Sequence, residues 1–494
     1  MNLKNFFKKI NLSFTVIIII GILAALNFFS YNIFYRFDLT QNKDYSLSKA
    51  SEEAAAGLKD VVNIKAYFSS DSPSQFLNLR QEVGDILEEY ANYSGGNIRV
   101  EFIDPKDDQE AKQELYNAGI PELQFNALEK DKYQVVNGYL GMLIKYGEKS
   151  QAIPVIQDTK DLEYQITSSI KKLTSDKIAN IGFWQGNGAA DPEKDVSVAY
   201  EKLGEIYNVS KFNFKESEKI SDIVDILIII APSEKFKDNE LKAIGEFLSG
   251  GGSLVVLADG VKVGQGLSAS KNDTGLNKLL QDYGVKLNEN LALDANNGMA
   301  SFNQGFVSFT VNYPYWPKVI KSGFDQNNPA VSRLESLVLP WASTIDVDPD
   351  KTNGASVSYL AATSDNAIAV SDNFKLSPQD EISGGKAGKF NLAVSLIGKS
   401  GNLVLAGDGD FIRDGFLRNY PDNLLFFQNI IDGLSLGEDL ISIRSKGVTE
   451  RPIKEISESA KAAVRYFNIF GLTIAVILGG LARYYFRKRR EIIL

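Results

Sequence analysis

Residues 224–230 read Val-Asp-Ile-Leu-Ile-Ile-Ile, and this stretch is the clearest indication of the fold class. It is a nearly continuous apolar run, which is typical of a strand buried on both faces in a parallel sheet. Strand patterns at 178–184 and 253–258 flank it, and helix patterns at 197–207 and from 238 to the glycines at 250 separate the strands. This alternation predicts a doubly wound parallel sheet with helices between its strands.

The same α/β pattern continues towards the carboxyl end of the chain. Residues 295–390 interrupt it with strand-like pieces rich in Pro, Gly and Asn, which indicates an irregular β-rich insertion. A strand at 402–406 and a helix at 423–434 then resume the alternation. We therefore expect one α/β domain over 173–455.

A smaller α/β domain is predicted at 39–172. Its elements run strand, helix, strand, helix, proline, strand, strand and helix, an order that resembles a thioredoxin-like domain. The strand at 61–68 should be central and pair with 98–103. The position of the redox pair in such domains holds Ser69-Ser70-Asp71-Ser72-Pro73, so a redox role is excluded.

Two apolar stretches near the chain ends predict membrane anchors. Residues 12–34 carry no charge and exceed the ~20 residues that a spanning helix needs. A cleaved signal peptide is the alternative, although no small-x-small site closes the run. Residues 466–482 form a second uncharged stretch of 17 residues, for which a buried or amphipathic surface helix is the alternative.

Basic residues lie on the terminal side of both stretches. Lys4, Lys8 and Lys9 precede the first, and the cluster at 487–490 follows the second. The positive-inside bias then places both termini in the cytoplasm. We expect a two-pass protein of the cytoplasmic (inner) membrane, with tails and anchors at 1–38 and 456–494 and the main body outside the cytoplasm.

Composition excludes several classes of function. The 494 residues contain no Cys and no His, so disulfides, cysteine nucleophiles, Ser-His-Asp triads and histidine-ligated metals are ruled out. The formal net charge is −9, with the basic residues concentrated at the ends, which argues against nucleic-acid binding. We predict no catalytic residues, no cofactor and no bound metal.

Two loops after predicted strands are candidate ligand sites. Gly186, Asn187 and Gly188 follow the first strand of the large domain, where open α/β sheets bind ligands, although an ordinary turn is the preferred interpretation. Asp408 and Asp410, with Asp414, follow the strand at 402–406. Three carboxylates can bind Mg²⁺ or Ca²⁺, but we prefer solvated loop acids, with Asp414 near the start of a helix or turn.

One further motif resembles part of a nucleotide-binding site. Ile397-Gly398-Lys399-Ser400 looks like the end of a phosphate-binding loop, but Ala393 stands where that loop needs its first glycine. The motif also runs into a strand, whereas a phosphate-binding loop opens a helix. We therefore predict a hairpin turn there.

Motifs distributed over the whole chain resemble the GldG family, auxiliary components of ABC transport systems first associated with gliding motility. They are Arg36-Phe37-Asp38-Leu39-Thr40, Tyr45-Ser46-Leu47-Ser48, Asn180-Ile181-Gly182-Phe183, the stretch from Leu403 to Phe411, and Leu440-Ile441-Ser442-Ile443-Arg444-Ser445-Lys446 with Arg451-Pro452. The first and last motifs are specific, whereas the middle ones are common in α/β proteins.

The resemblance implies an anchored extracytoplasmic subunit that works with an ABC-type permease and its cytoplasmic ATPase. The large domain would be of the GIFT type, related to class I glutamine amidotransferases and hence flavodoxin/amidotransferase-like. No catalytic residue carries over, because that triad needs Cys and His. We expect a non-enzymatic accessory that contacts membrane lipid and couples an outer ligand or polymer to the permease. The alternative is an anchored extracytoplasmic hydrolase or sugar-binding protein that uses Asp408 and Asp410.

Overall fold

The computed structural model describes residues 46–435 except 71–72, 74, 107, 130–131, 176–177, 218, 305–306, 381–383 and 400. It also describes residues 19, 21, 22, 443 and 458–491. The chain divides into two units, 1–448 and 449–494. The first unit mixes helices and strands throughout, which confirms the predicted α/β class.

The first part of this unit, up to residue 175, is built around a four-stranded sheet. Its elements are α1 (Lys49–Ala56), β1 (Val62–Phe68), α2 (Gln75–Tyr93), β2 (Ile98–Ile103), α3 (Gln109–Asn117), β3 (Leu123–Glu129), β4 (Lys132–Gly138), β5 (Leu140–Tyr146), β6 (Lys149–Ile153) and α4 (Leu162–Thr174). The sheet order is β2-β1-β5-β6, and β3 and β4 form a separate two-stranded sheet.

Strand β1 lies inside the four-stranded sheet. It runs parallel to β2 and antiparallel to β5, so the predicted pairing of 61–68 with 98–103 is present. Val62, Ile64 and Ala66 are fully buried, because β1 has a neighbour on each side and helices pack against the sheet. At the predicted redox position, the backbone N–H of Ser69 donates to the carbonyl oxygen of Tyr139 over 3.1 Å. Residues 71–72 of that segment lie outside the described residues.

The second part of the unit contains the larger sheet. Its first elements are β7 (Asn180–Gln185), α5 (Ser197–Gly204), β8 (Asn208–Asn213), β9 (Ile226–Ile230), α6 (Asp238–Ser249), β10 (Ser253–Leu257), β11 (Val261–Val263), β12 (Ala269–Lys271), α7 (Asn277–Leu280), β13 (Val285–Leu287) and β14 (Leu291–Leu293). Its last elements are β22 (Asn391–Gly398), β23 (Gly401–Ala406), α9 (Asp414–Leu417) and α10 (Asp422–Ser435).

Five strands of this sheet run parallel, in the order β23-β10-β9-β7-β8. Strand β9 is buried along its whole length. Ile226, Ile228 and Ile230 pack with α5 and α10, whereas Leu227 and Ile229 pack with α6. Helices therefore cover both faces of the sheet, as the apolar run at 224–230 predicts.

Residues 295–390, the stretch predicted as an insertion, contain many strands, and two of these strands join the large sheet. The stretch contains β15 (Asn297–Gln304), β16 (Val307–Ile320), α8 (Pro329–Ser332), β17 (Ser336–Val338), β18 (Ile345–Val347), β19 (Ser356–Ala362), β20 (Ala367–Val370) and β21 (Lys386–Gly388). β18 and β19 pair antiparallel with β22. The large sheet is therefore mixed, and not parallel throughout as the sequence predicts.

The large sheet is mixed because a tight hairpin connects β22 to β23. Gly398 pairs with Gly401 at the end of an antiparallel hairpin, which confirms the turn predicted at 397–400. A two-residue loop can only reverse the chain, so β22 must run against the five parallel strands. Gly401 has φ 98°, a conformation that glycine adopts readily.

The second unit contains one helix, α11 (Glu458–Glu491), which includes the predicted anchor at 466–482. Within the described part of the chain, no helix combines the length and the apolar character needed to cross a membrane. The predicted anchor at 12–34 lies outside the described residues, apart from 19, 21 and 22.

Candidate functional site

Three aspartates meet at the carboxyl edge of the parallel sheet. Asp259 follows β10, and Asp408 and Asp410 follow β23. These strands are parallel neighbours, with Leu257 opposite Ala406 at their ends, so both loops emerge at the same edge. One carboxylate oxygen of each aspartate lies within 4.8 Å of those of the other two. This is the edge at which open α/β sheets bind ligands.

Backbone hydrogen bonds hold two of these carboxylates in place. The N–H of Gly409 donates to Asp259 Oδ1 over 2.8 Å, and the N–H of Asp410 donates to Asp408 Oδ1 over 2.7 Å. The other oxygen of Asp408, Oδ2, is buried and accepts no hydrogen bond from the described residues. A buried oxygen without a donor is costly, so this atom calls for a proton or a cation as its partner.

The loop after β23 approaches its neighbours too closely for side chains. A Cβ atom on Gly409 would lie 2.7 Å from the Cα atom of Ala231, and one on Gly407 would lie 2.0 Å from the carbonyl oxygen of Ser343. The backbone of Ser343 in turn donates to the carbonyl of Gly407 over 2.6 Å. The glycines thus allow the backbone to pack densely below Asp408 and Asp410.

Burial and mutual repulsion disfavour the ionised forms of two of the acids. Burial raises the pKa of Asp408 well above its usual range, and the charges of Asp259 and Asp410 raise it further. Burial also raises the pKa of Asp259, and so does the nearby charge of Asp410. The cluster therefore favours any positive species, either a proton or a metal cation, that reduces its negative charge.

Arg413 is the basic residue beside the cluster. Its Nε donates to Asp410 Oδ1, and its Nη1 lies 3.6 Å from Asp195 Oδ1. The guanidinium of Arg413 thus forms ion pairs with two carboxylates, Asp410 of the cluster and Asp195 outside it. Three aspartates around one shared arginine leave an excess of negative charge at this edge.

Asp414 lies apart from the cluster and caps a helix. Its carboxylate accepts hydrogen bonds from the backbone and hydroxyl of Ser197 and from the backbone of Val198, over 2.7–3.1 Å. These are first-turn groups of α5, whose own N-cap Val196 has no side-chain acceptor. Asp414 itself begins α9, as the sequence predicts.

The Gly186–Gly188 turn is held by its central residue. Gly186, Asn187 and Gly188 all have positive φ, at 112°, 52° and 65°. Asn187 Oδ1 accepts from the indole N–H of Trp184 over 2.9 Å, and its Nδ2 donates to Glu240 Oε2 over 3.1 Å. The Asn187 side chain thus ties this loop to the start of α6, and a ligand role for the turn stays a prediction.

The expectation that Asp408 is a solvated loop acid is wrong. Its side chain is fully buried, because Gly407 and Gly409 draw the loop against Ser343 and Ala231. Asp259 was not among the site residues predicted from the sequence. A signal was available, since Ala258-Asp259 and Ala406-Gly407-Asp408 both place an acid just beyond an apolar strand. Recognising the pair would have required knowing that β10 and β23 are neighbours.

A second carboxylate site lies on the smaller sheet. Glu114 of α3 accepts hydrogen bonds from Lys65 Nζ over 2.9 Å, from the hydroxyl of Tyr67 over 2.6 Å, and from Lys145 Nζ. Burial alone would raise the pKa of Glu114, but hydrogen bonds from Lys145, Tyr67 and Lys65 outweigh it and lower the pKa to about 2. Glu114, Lys65 and Lys145 line an open cleft of about 670 Å³ beside α3.

Family models match both parts of the first unit. A family described as an ABC-type uncharacterized transport system matches residues 179–432, and a domain of unknown function (DUF7088) matches residues 41–145. A protein of Borreliella burgdorferi that carries no functional name is 22% identical over 520 aligned residues, which cover 99% of each chain.

Similarity to solved structures is distant. The N-terminal domain of IFT52 (mmIFT52) is 17% identical and aligns with 52% of this chain and 97% of its own, at a TM-score of 0.37. A ThuA-like protein from Parabacteroides merdae is 10% identical and aligns with 57% of this chain and 94% of its own, at a TM-score of 0.26. Scores this low carry no argument about function.

Proposed function

Because the chain belongs to the ABC-type uncharacterized transport system family, we propose that it is an auxiliary subunit of such a transporter. In this proposal it is anchored in the cytoplasmic membrane and couples an outer ligand or polymer to an ABC-type permease and its ATPase. The observation that carries the proposal is the family match over 179–432, which spans the whole parallel sheet and all three aspartates at its edge.

Details of the fold support this assignment. The sheet order β2-β1-β5-β6, with β1 parallel to β2, is consistent with a thioredoxin-like domain over 39–172. Five parallel strands covered by helices on both faces are consistent with a GIFT-type, amidotransferase-like domain over 173–455. We propose these two domains as the extracytoplasmic body.

The two parts of the body are tied together through α4. Tyr164 of this helix donates its hydroxyl to Asp432 Oδ2 of α10 over 3.0 Å, and Tyr207 donates to Asp432 Oδ1 over 2.7 Å. Asp432 is fully buried, so this junction is a permanent part of the core. A body joined in this way would transmit force or orientation as one piece, which suits a coupling subunit.

The proposed topology rests on the sequence. Two anchors, at 12–34 and 466–482, with basic residues on their terminal sides would place both termini in the cytoplasm. Tethering at both ends would raise the effective concentration of the body at the permease. Protease added to intact cells with a permeabilised outer membrane should digest segment 60–450, and protection of that segment would contradict the topology.

Affinity purification in a mild detergent tests the function. We expect the full chain to recover an ABC-type permease and its ATPase, identified by mass spectrometry. Gly479→Leu with Gly480→Leu should reduce this recovery, because glycines in a membrane helix allow another helix to approach closely. Ile477→Leu is the matched control, since it keeps the side-chain volume on the same helix.

The composition and the burial of Asp408 support a non-enzymatic role. The chain lacks Cys and His, and the side chain of Asp408 has no exposed surface with which to contact a substrate. A hydrolase or sugar-binding enzyme is the competing function, because paired carboxylates are the groups that glycosidases use. Recovery of the protein alone, with a hydrolytic activity that Asp408→Asn abolishes, would favour the enzyme and reject the auxiliary role.

A further inference from the structure

The strongest feature outside the proposed coupling role is the three-aspartate cluster at the carboxyl edge of the parallel sheet. Its members come from two neighbouring strands that are about 150 residues apart in sequence, and one oxygen of each lies within 4.8 Å of the other two. We propose that Asp259, Asp408 and Asp410 bind a hard divalent cation, Ca²⁺ or Mg²⁺. Binding of this cation would not require the permease or its ATPase.

The buried oxygen of Asp408 is the independent observation that points to a ligand. Asp408 has no exposed surface, and no donor among the described residues reaches its Oδ2 with hydrogen-bond geometry. The backbone N–H of Phe411 also interacts with this carboxylate, but it does not satisfy that atom. Its neighbour Oδ1 is already held by the N–H of Asp410, which fixes the carboxylate plane. A pre-positioned, desolvated carboxylate oxygen within a cluster of acids is a ready metal ligand, because it has already lost its water.

The cluster is compact enough for one ion. Ca²⁺ binds oxygen at roughly 2.3–2.6 Å, so two ligands on opposite sides of one ion are at most about 5 Å apart. One oxygen of each aspartate lies within 4.8 Å of the other two, so a single ion can contact all three side chains. Mg²⁺ demands near-ideal octahedral geometry and usually keeps several of its waters, whereas Ca²⁺ accepts irregular sets of carboxylates. We therefore expect Ca²⁺ to bind more tightly than Mg²⁺.

The ligand chemistry selects hard ions. All three side chains offer carboxylate oxygen, which suits Ca²⁺ and Mg²⁺ and not the softer metals that prefer nitrogen or sulfur. Three carboxylates supply fewer than the roughly six to eight oxygen ligands of Ca²⁺, so water or an oxygen-rich ligand must complete the coordination. The side chain of Asp410 is 25% exposed and gives such a ligand access to the cluster.

A proton shared among the carboxylates is the competing way to neutralise the cluster. Arg413 pairs with Asp410 and Asp195, and its single charge also acts on Asp259, so one cation is shared among three carboxylates. A protonated cluster and a metal-bound cluster differ in one measurable respect, which is whether the purified protein takes up the ion.

Calorimetric titration of the full chain in detergent, after removal of metals by a chelator and gel filtration, tests the proposal. We expect one CaCl₂ site per chain and weaker binding of MgCl₂. Asp408→Asn and Asp410→Asn should each weaken Ca²⁺ binding at least about tenfold, because each removes a charged ligand. Asp273→Asn is the matched control, since Asp273 is an exposed loop acid paired with Lys235 and should leave binding unchanged.

Folding of each variant is checked by circular dichroism and by its melting curve. Asp410 is partly exposed, so Asp410→Asn keeps the test informative if Asp408→Asn fails to fold. A folded wild-type protein that takes up neither ion would overturn the proposal in favour of a shared proton. Equal affinity in wild type and Asp410→Asn would also overturn it, because the ion would then bind elsewhere.

Discussion

Glu114 on the smaller sheet and the three aspartates on the larger sheet show opposite ways of placing carboxylates in a fold. Two lysines and a tyrosine surround Glu114, and their hydrogen bonds lower its pKa to about 2. Asp259 and Asp408 have backbone donors and each other, and burial raises the pKa of both. Side chains of the protein neutralise the first site, whereas Asp259 and Asp408 in the second site favour a bound proton or cation.

This difference identifies which carboxylates are structural and which are available to a ligand. Lys65 of β1 and Lys145 of β5 come from neighbouring strands, so the smaller sheet supplies the counterions of Glu114 itself. The charges that act on Asp408 are those of Asp259 and Asp410, which are negative like its own. A carboxylate whose charge is already balanced gains little from a cation, whereas an unbalanced one gains much.

The largest effect is expected where the aspartate loop packs most tightly. Gly409→Ala would place a Cβ atom 2.7 Å from the backbone of Ala231, so the loop would have to move. We expect a loss of about 3 kcal/mol in the free energy of unfolding and loss of Ca²⁺ binding. Gly415→Ala is the control, because nothing lies within 4 Å of its added methyl group. Chemical denaturation of the two variants measures their free energy of unfolding, and calorimetry measures their Ca²⁺ binding. A Gly409→Ala protein as stable as the wild type would contradict the close packing of this loop.

Asp414 separates the ligand cluster from its structural surroundings. Asp414→Ala removes an acceptor shared by three donors at the start of α5, which should lower the free energy of unfolding by about 2 kcal/mol. Ca²⁺ affinity should remain that of the wild type, because Asp414 lies outside the cluster. Calorimetry and denaturation on the same sample test both statements, and a tenfold loss of affinity would make Asp414 part of the site.

Glu114 gives the smallest effect and a pH signature. Glu114→Gln should lower the free energy of unfolding by about 1 kcal/mol at neutral pH, since Lys65 and Lys145 are about one-third exposed and water screens the pair. The folded pKa is depressed from an ordinary 4.5 to about 2, so this stability is fully present above pH 4.5. It should disappear as the pH falls towards 2. Denaturation of both proteins between pH 7 and pH 2 measures the difference, which would stay constant if Glu114 were not ionised in this way.

Much of the architecture could be predicted from local patterns. The apolar run at 224–230 predicts a buried strand, and β9 is buried throughout. Ala393 and the strand that follows residue 400 argue against a phosphate-binding loop and predict a hairpin turn at 397–400. The hairpin is present. Such features are predictable because hydrophobic periodicity and turn geometry depend on residues close together in sequence.

The joining of β18 and β19 to the large sheet was not predictable in the same way. Their sequences contain no pattern that identifies β22 as their partner, since pairing depends on segments far apart in the chain. Residues 295–390 could therefore be predicted as an insertion, but its strands could not be assigned to the larger sheet.

Composition and local patterns are enough to predict that this protein uses no Cys or His chemistry, that its body is α/β, and that acids follow its central strands. The burial and the neighbours of those acids come from the fold. Adjacency of β10 and β23 brings Asp259 to Asp408, and the close packing of Gly407 and Gly409 removes Asp408 from water. The physical reason is that the ionisation and ligand affinity of a carboxylate depend on burial and on neighbouring charges, which long-range folding supplies.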